Sequence, residues 1–131
     1  MGYICYQRYT LSLRSRAAQR AISLPIEAQF SSVRDILPGD FNLDGLQDLI
    51  ICGNNYQTRP SLGRQDASYG LYLQGSGGKK FSTQPIAVSG LKIPGDPLKI
   101  ARMESGEKQH FAIGINDEEL RLIKLCKDCK Q

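Results

Sequence analysis

The stretch DLIICG at positions 48 to 53 limits the fold more than any other part of the chain. An extended strand there puts Leu49 and Ile51 on one side and Ile50 and Cys52 on the other, so both faces must be covered. In an antiparallel protein this happens in sandwich cores and in propeller blades, where each sheet lies between two others. ELRLIKL mixes its faces in the same way. The runs SVRDILPGDF, LQDLIICGN, YGLYLQG, FSTQPIAV, DPLKIARME, KQHFAIGIN and ELRLIKL read as strands. NLDG, GSGGKK, SGLKIPGD, ESGE and NDEE supply the turns, with residues that tolerate positive φ or pre-set a bend. The expectation is an all-β antiparallel meander. Its first four and last three strands have similar lengths and spacing, as in about two successive four-stranded blade-type units. Only the basic segment 9–22 is expected to form a short amphipathic helix, with Leu11, Leu13, Ala17, Ala18 and Ala21 as its apolar positions.

At 131 residues the chain has the size of one ordinary domain. Its 17 basic and 13 acidic residues leave a net charge of +4, too small and too evenly spread to argue for a nucleic-acid surface. The basic amino terminus and LIKLCKDCK keep polyanion binding as an alternative, which a steep loss of binding with added salt would support. No apolar run approaches the ~18 residues that span a bilayer. No signal peptide is visible, because YICYQRYTLSLRSRAAQRAIS is interrupted by polar residues throughout.

Cys5, Cys52, Cys126 and Cys129 are not spaced as a disulfide framework, and Cys52 reads as a small hydrophobe within a strand. CKDC lacks a second pair or a nearby histidine, so it reads as an exposed tail. GSGGKK lacks the full phosphate-loop spacing and joins two strands. His110 is the single histidine, and strand alternation sets it opposite Phe111, Ile113 and Ile115, towards solvent. With no nucleophile placed for it, the chain is not expected to be an enzyme.

One constellation carries chemistry. GDFNLDGLQDLII fits D-x-N-x-D-G-x-x-D, with side-chain oxygens from Asp40, Asn42, Asp44 and Asp48 and a main-chain carbonyl from Leu46. Oxygens at alternate positions followed by a turn glycine are what calcium requires. An EF-hand starts the same way but needs a glutamate at its twelfth position and flanking helices. Here the twelfth position is Ile51 and both flanks read as strands, which gives a calcium turn within a hairpin. The competing reading is an Asp/Asn turn that binds nothing. Three carboxylates within nine residues repel one another unless neutralised, which favours the metal. The long connection 53–68 adds Arg59, Arg64 and Asp66, read as a structural ion pair or a recognition loop.

These residues bring a family into view. From about residue 24 to residue 125, and most specifically in DFNLDGLQDL, GNNYQTRPSLGRQDASYG and INDEEL, the chain resembles the C-terminal section of bacterial FG-GAP/VCBS-repeat β-propeller proteins, including those with an ASPIC/UnbV module. Integrin α-subunit propellers are more distant relatives. The resemblance implies a calcium ion at Asp40, Asn42, Asp44, Leu46 and Asp48, a non-catalytic recognition or scaffold role, and an extracellular or cell-surface location. It implies other blades, self-association, or a protein or carbohydrate ligand as partners. The chain then divides into an unmatched basic segment 1–23, a blade with the calcium loop at 24–90, a partial following blade at 91–125 and a tail at 126–131. A closed propeller needs at least four blades, so about two read as a fragment of a larger propeller, or as a truncated product with no independent function. Such a pair would leave outer faces carrying Ile50, Leu71, Leu73, Ile113 and Leu122 uncovered.

Overall fold

The structure, a computed structural model, describes residues 10–15, 18–57, 63, 67–78, 80–105 and 108–124. Each of the seven stretches read as strands contains one. Among the described residues these are β3 (Asp35–Gly39), β4 (Asp48–Cys52), β5 (Leu71–Gly75), β6 (Phe81–Gln84), β7 (Pro97–Ser105), β8 (Lys108–Ile115) and β9 (Arg121–Lys124). They form two antiparallel meanders, a four-stranded sheet in the order β3-β4-β5-β6 and a three-stranded sheet in the order β7-β8-β9. Among the described residues the second sheet has three strands, the number read in the sequence for the partial following unit.

Two local expectations fail. Among the described residues of segment 9–22 there is no helix. Instead β1 (Thr10–Ser15) pairs with β2 (Ala18–Ser23) in register from Thr10↔Ser23 to Ser15↔Ala18. TLSLRS alternates polar and apolar residues. Leu11 and Leu13, two apart, would lie roughly 200° apart around a helix but on the same face of a strand. FSTQPIAV also stops being a strand at Gln84. Pro85 has no N–H to give a ladder, and after it a single helical turn, α1 (Ile86–Ser89), closes at the left-handed Gly90, whose N–H donates to Ile86 O at 2.7 Å.

The two-sided strand behaves as its sequence requires, for every residue of β4 is buried. Ile50 and Cys52 face the three-stranded sheet and share a core with Phe41, Ile93, Ile100, Phe111, Ile113 and Ile115. Leu49 and Ile51 face the other way and pack with Leu73 beneath Leu24 and Ala28, which flank and lie in a 3-10 turn at Ile26–Gln29. This corrects the expectation of uncovered faces. Ile50, Leu73 and Ile113 are 5%, 0% and 0% exposed, because the sheets stack on each other and Leu24 and Ala28 cover the remaining face. Leu71 is partly buried, and of the five only Leu122 stands out, at 63%.

The sheets approach most closely through β3, β4 and β7. A polar tie crosses there. Asp35 at the start of β3 accepts the Ile100 N–H at 3.0 Å and the Lys99 ammonium at 3.1 Å, both from β7.

Candidate functional site

The hairpin β3-β4 closes with Gly39 opposite Asp48, which leaves residues 40–47 as its loop. Leu43 and Gly45 adopt the left-handed conformation, with φ of 63° and 82°. Glycine enters that region without strain, whereas leucine requires the surrounding bonds to hold it there.

The loop supplies those bonds from its own side chains. Asp40 accepts the Asp44 N–H at 3.2 Å through one oxygen and the Gly45 N–H at 2.9 Å through the other. Asn42 Oδ1 also accepts the Asp44 N–H, at 3.1 Å, and its amide donates to Asp44 Oδ2 at 2.7 Å. Asp44 Oδ1 accepts the Leu46 N–H at 2.8 Å. That last bond, followed by the one from Asn42, holds the Asp44 carboxyl below the usual carboxylate range. Asp40, Asn42 and Asp44 thus gather around one turn at the surface, and Leu46 belongs to the same turn through its N–H.

Asp48 is placed differently. It is fully buried, and its Oδ2 accepts the Phe41 N–H at 3.1 Å and the Tyr72 hydroxyl at 2.7 Å, while Oδ1 accepts the Gly75 N–H at 2.8 Å. One carboxylate on β4 thereby fixes the start of the loop and two points of β5. Gly75 has to be glycine, because a Cβ there would collide with the Gln47 carbonyl. Burial pushes the Tyr72 hydroxyl pKa well above its ordinary value, and the hydrogen bond to Asp48 and the charges of Asp48, Asp44 and Asp40 push it further. From the loop, Phe41 enters the inter-sheet core and meets Phe111 edge-on at 5.4 Å and Tyr72 at 6.2 Å, with the Arg102 guanidinium 5.9 Å above its ring.

Among the described residues no group of three or more His, Cys, Asp or Glu side chains converges to hold a metal. The donor chemistry nevertheless fits calcium. Asp40, Asn42 and Asp44 are hard oxygen donors at the surface, and Asp48 has about four acceptor positions, of which three are filled. In this structure Asp48 acts as the inner clamp of the loop.

Arg59, Arg64 and Asp66 lie outside the described residues, as do Cys5, Cys126 and Cys129. Cys52 is the buried small hydrophobe expected of it, and its thiol is pushed up to about 11 by burial and then by the charge of Asp35. His110 lies opposite Phe111, Ile113 and Ile115 as expected. It is half-buried, and its Nδ1 is enclosed without a hydrogen-bond partner among the described residues, so it is less open to solvent than alternation suggested.

Two buried polar residues escaped the sequence reading. Asn54 accepts from Ser31 Oγ at 2.8 Å and from the Ser68 N–H at 3.2 Å, and it donates to the Ser68 and Gly95 carbonyls at 2.7 Å each. It therefore anchors both roots of the long connection and the link between the sheets. Asp96, 2% exposed, accepts the Tyr56 N–H at 3.4 Å through one oxygen, and its other oxygen has no partner among the described residues. The repeated asparagine just past a buried strand was the available signal for the first; Asp96 gave none. No family model matches the chain, and neither does any curated protein or solved structure.

Proposed function

We propose that the chain is a non-catalytic β module of the FG-GAP/VCBS blade type, serving recognition or scaffolding, with the loop 40–48 stabilised by calcium. The observation that carries this reading is the surface trio Asp40, Asn42 and Asp44, wrapped on one turn and clamped from beneath by Asp48. The stacking of the two meanders face to face on a shared apolar core supports it, since the blades of a propeller also lie sheet against sheet. Asp40, Asn42, Asp44 and the Leu46 carbonyl would hold the ion, with Asp48 as the remaining carboxylate of the set. The ion supplies charge neutralisation and stiffness to the loop and takes part in no reaction. Calcium at extracellular concentrations would fill a site of this class, in keeping with a cell-surface or secreted setting and with a protein, a carbohydrate or further blades as partners.

A second reading has its own support. Each carboxylate of the loop already accepts protein donors, and Asp48 accepts three, so the turn can also stand without metal. Thermal unfolding in calcium and in chelator separates the two. The calcium reading expects the melting temperature to rise by several degrees with calcium and not with magnesium, and the rise to vanish in Asp44→Asn. An unchanged melting temperature in calcium leaves the metal-free turn.

A further inference from the structure

The loop contains an Asp–Gly bond, Asp44–Gly45, with both residues exposed. Such a bond is the chemically weak point of a chain. The Gly45 amide nitrogen, on losing its proton, can attack Cγ of Asp44, since a following glycine has no side chain to block the approach. The carboxyl group then leaves one oxygen as water and a five-membered succinimide forms. Hydrolysis returns the water at either carbonyl, giving aspartate again or its isomer with the backbone routed through the side chain. No oxidant or other reactant is consumed.

Here both reacting groups are engaged elsewhere. The Gly45 N–H donates to Asp40 Oδ2 at 2.9 Å. The two Asp44 oxygens accept from the Leu46 N–H at 2.8 Å and the Asn42 amide at 2.7 Å, so the carboxyl is held by other partners. A hydrogen bond to a carboxylate keeps the proton on the nucleophile and fixes its direction.

We propose that Asp44–Gly45 is a latent site of spontaneous isoaspartate formation, and that Asp40, through its bond from the Gly45 N–H, keeps it closed in the folded chain. Once formed, the isomer inserts a methylene into the backbone between Asn42 and Leu46, and the bonds that hold Leu43 left-handed can no longer close. The modification is thus an ageing reaction that disables the loop. The inference does not depend on calcium, so its test is run in chelator.

The full-length chain is incubated at neutral pH and physiological temperature, and isoaspartate at position 44 is measured by peptide mapping. The native chain, the chain in urea, Asp40→Ala and Asp40→Asn are compared. The chain in urea should accumulate the isomer at least about tenfold faster than the native chain, the scale set by losing one hydrogen bond to a charged group. Asp40→Ala should approach the urea rate, and Asp40→Asn, which keeps one acceptor, should fall between. No isomer in urea, or equal rates in urea and in the native chain, overturns the proposal. So does Asp40→Ala that keeps the native circular dichroism and the native rate. If Asp40→Ala does not fold, hydrogen exchange at the native Gly45 amide decides: protection supports the guard, and exchange at the unfolded-chain rate removes it.

Discussion

Tyr72 donates its hydroxyl proton to the buried carboxylate of Asp48 at 2.7 Å, although the two are diagonal and not opposite in the β4-β5 ladder, where Tyr72 faces Ile50. Both lie on the face turned towards the three-stranded sheet, and a tyrosine is long enough to reach a diagonal neighbour. Tyr72→Phe keeps the ring against Phe41 and deletes only the donor. It should cost about 1.5 to 3 kcal/mol, the range for a hydrogen bond to a charged group, seen as a lower urea midpoint with an unchanged slope.

Gly75 is the tightest point of the same clamp. In Gly75→Ala the added methyl would strike the Gln47 carbonyl and pull the Gly75 N–H away from Asp48, for a loss of about 2 to 4 kcal/mol. Gly114→Ala is the comparison, since its nearest atom is the Lys99 carbonyl at 4.0 Å, and it should change stability by less than about 0.5 kcal/mol. Equal losses in the two variants would mean that Gly75 matters only as a strand glycine.

Asp35 contributes to the response to acid. Burial raises its carboxyl, but the Ile100 N–H and the Lys99 ammonium outweigh burial and leave it below its ordinary value of 3.8. A depressed pKa contributes stability that is present above that ordinary value and is lost as pH falls through the folded one. Asp35→Asn should therefore be less stable at neutral pH by about 1 to 2 kcal/mol and lose less on acidification. Lys99→Met should do little at neutral pH, because the lysine is 75% exposed and the backbone bond carries the contact. Urea titrations at neutral and acidic pH check both.

At the alkaline end the order of events is set by burial. Cys52, raised from 9.0 to about 11, contributes stability that is whole below pH 9 and is lost as pH rises through 11. Two units correspond to about 2 to 3 kcal/mol. Tyr72 adds a later loss that begins near its ordinary value of 10.0. Cys52→Ala should be less stable at neutral pH by about 1 kcal/mol, yet begin its alkaline decline nearer pH 10. A decline starting at the same pH in both proteins would remove the thiol from the account.

The parts of the molecule that could be read in advance are those written in local periodicity. β4 announced its burial on both faces because four apolar residues in succession have no polar side to expose, and the turns announced themselves through glycine and proline. Leu11 and Leu13 were spaced for a strand, and the helix expectation gave their apolar character more weight than that spacing. What stayed hidden depends on partners far along the chain. The inward turn of Asp48 needs Tyr72, 24 residues later, and nothing within D-x-N-x-D-G-x-x-D reveals that a tyrosine hydroxyl and a glycine N–H wait beneath it. Asn54 likewise acquires its role from Gly95, 41 residues away. The covering of Leu49, Ile51 and Leu73 comes from Leu24 and Ala28, whose short 3-10 turn carries no periodic signature.

Phe41 belongs to an exposed loop by sequence and to the inter-sheet core by packing, with its N–H on Asp48 and its ring against Phe111. The loop therefore works as a latch across a hinge. The sheets cannot swing apart about β3 and β7 without withdrawing Phe41, and the loop cannot loosen without opening the seam. Local fraying and global unfolding become one event at this residue, so its amide, although set in a surface turn, should exchange its hydrogen only when the whole domain opens.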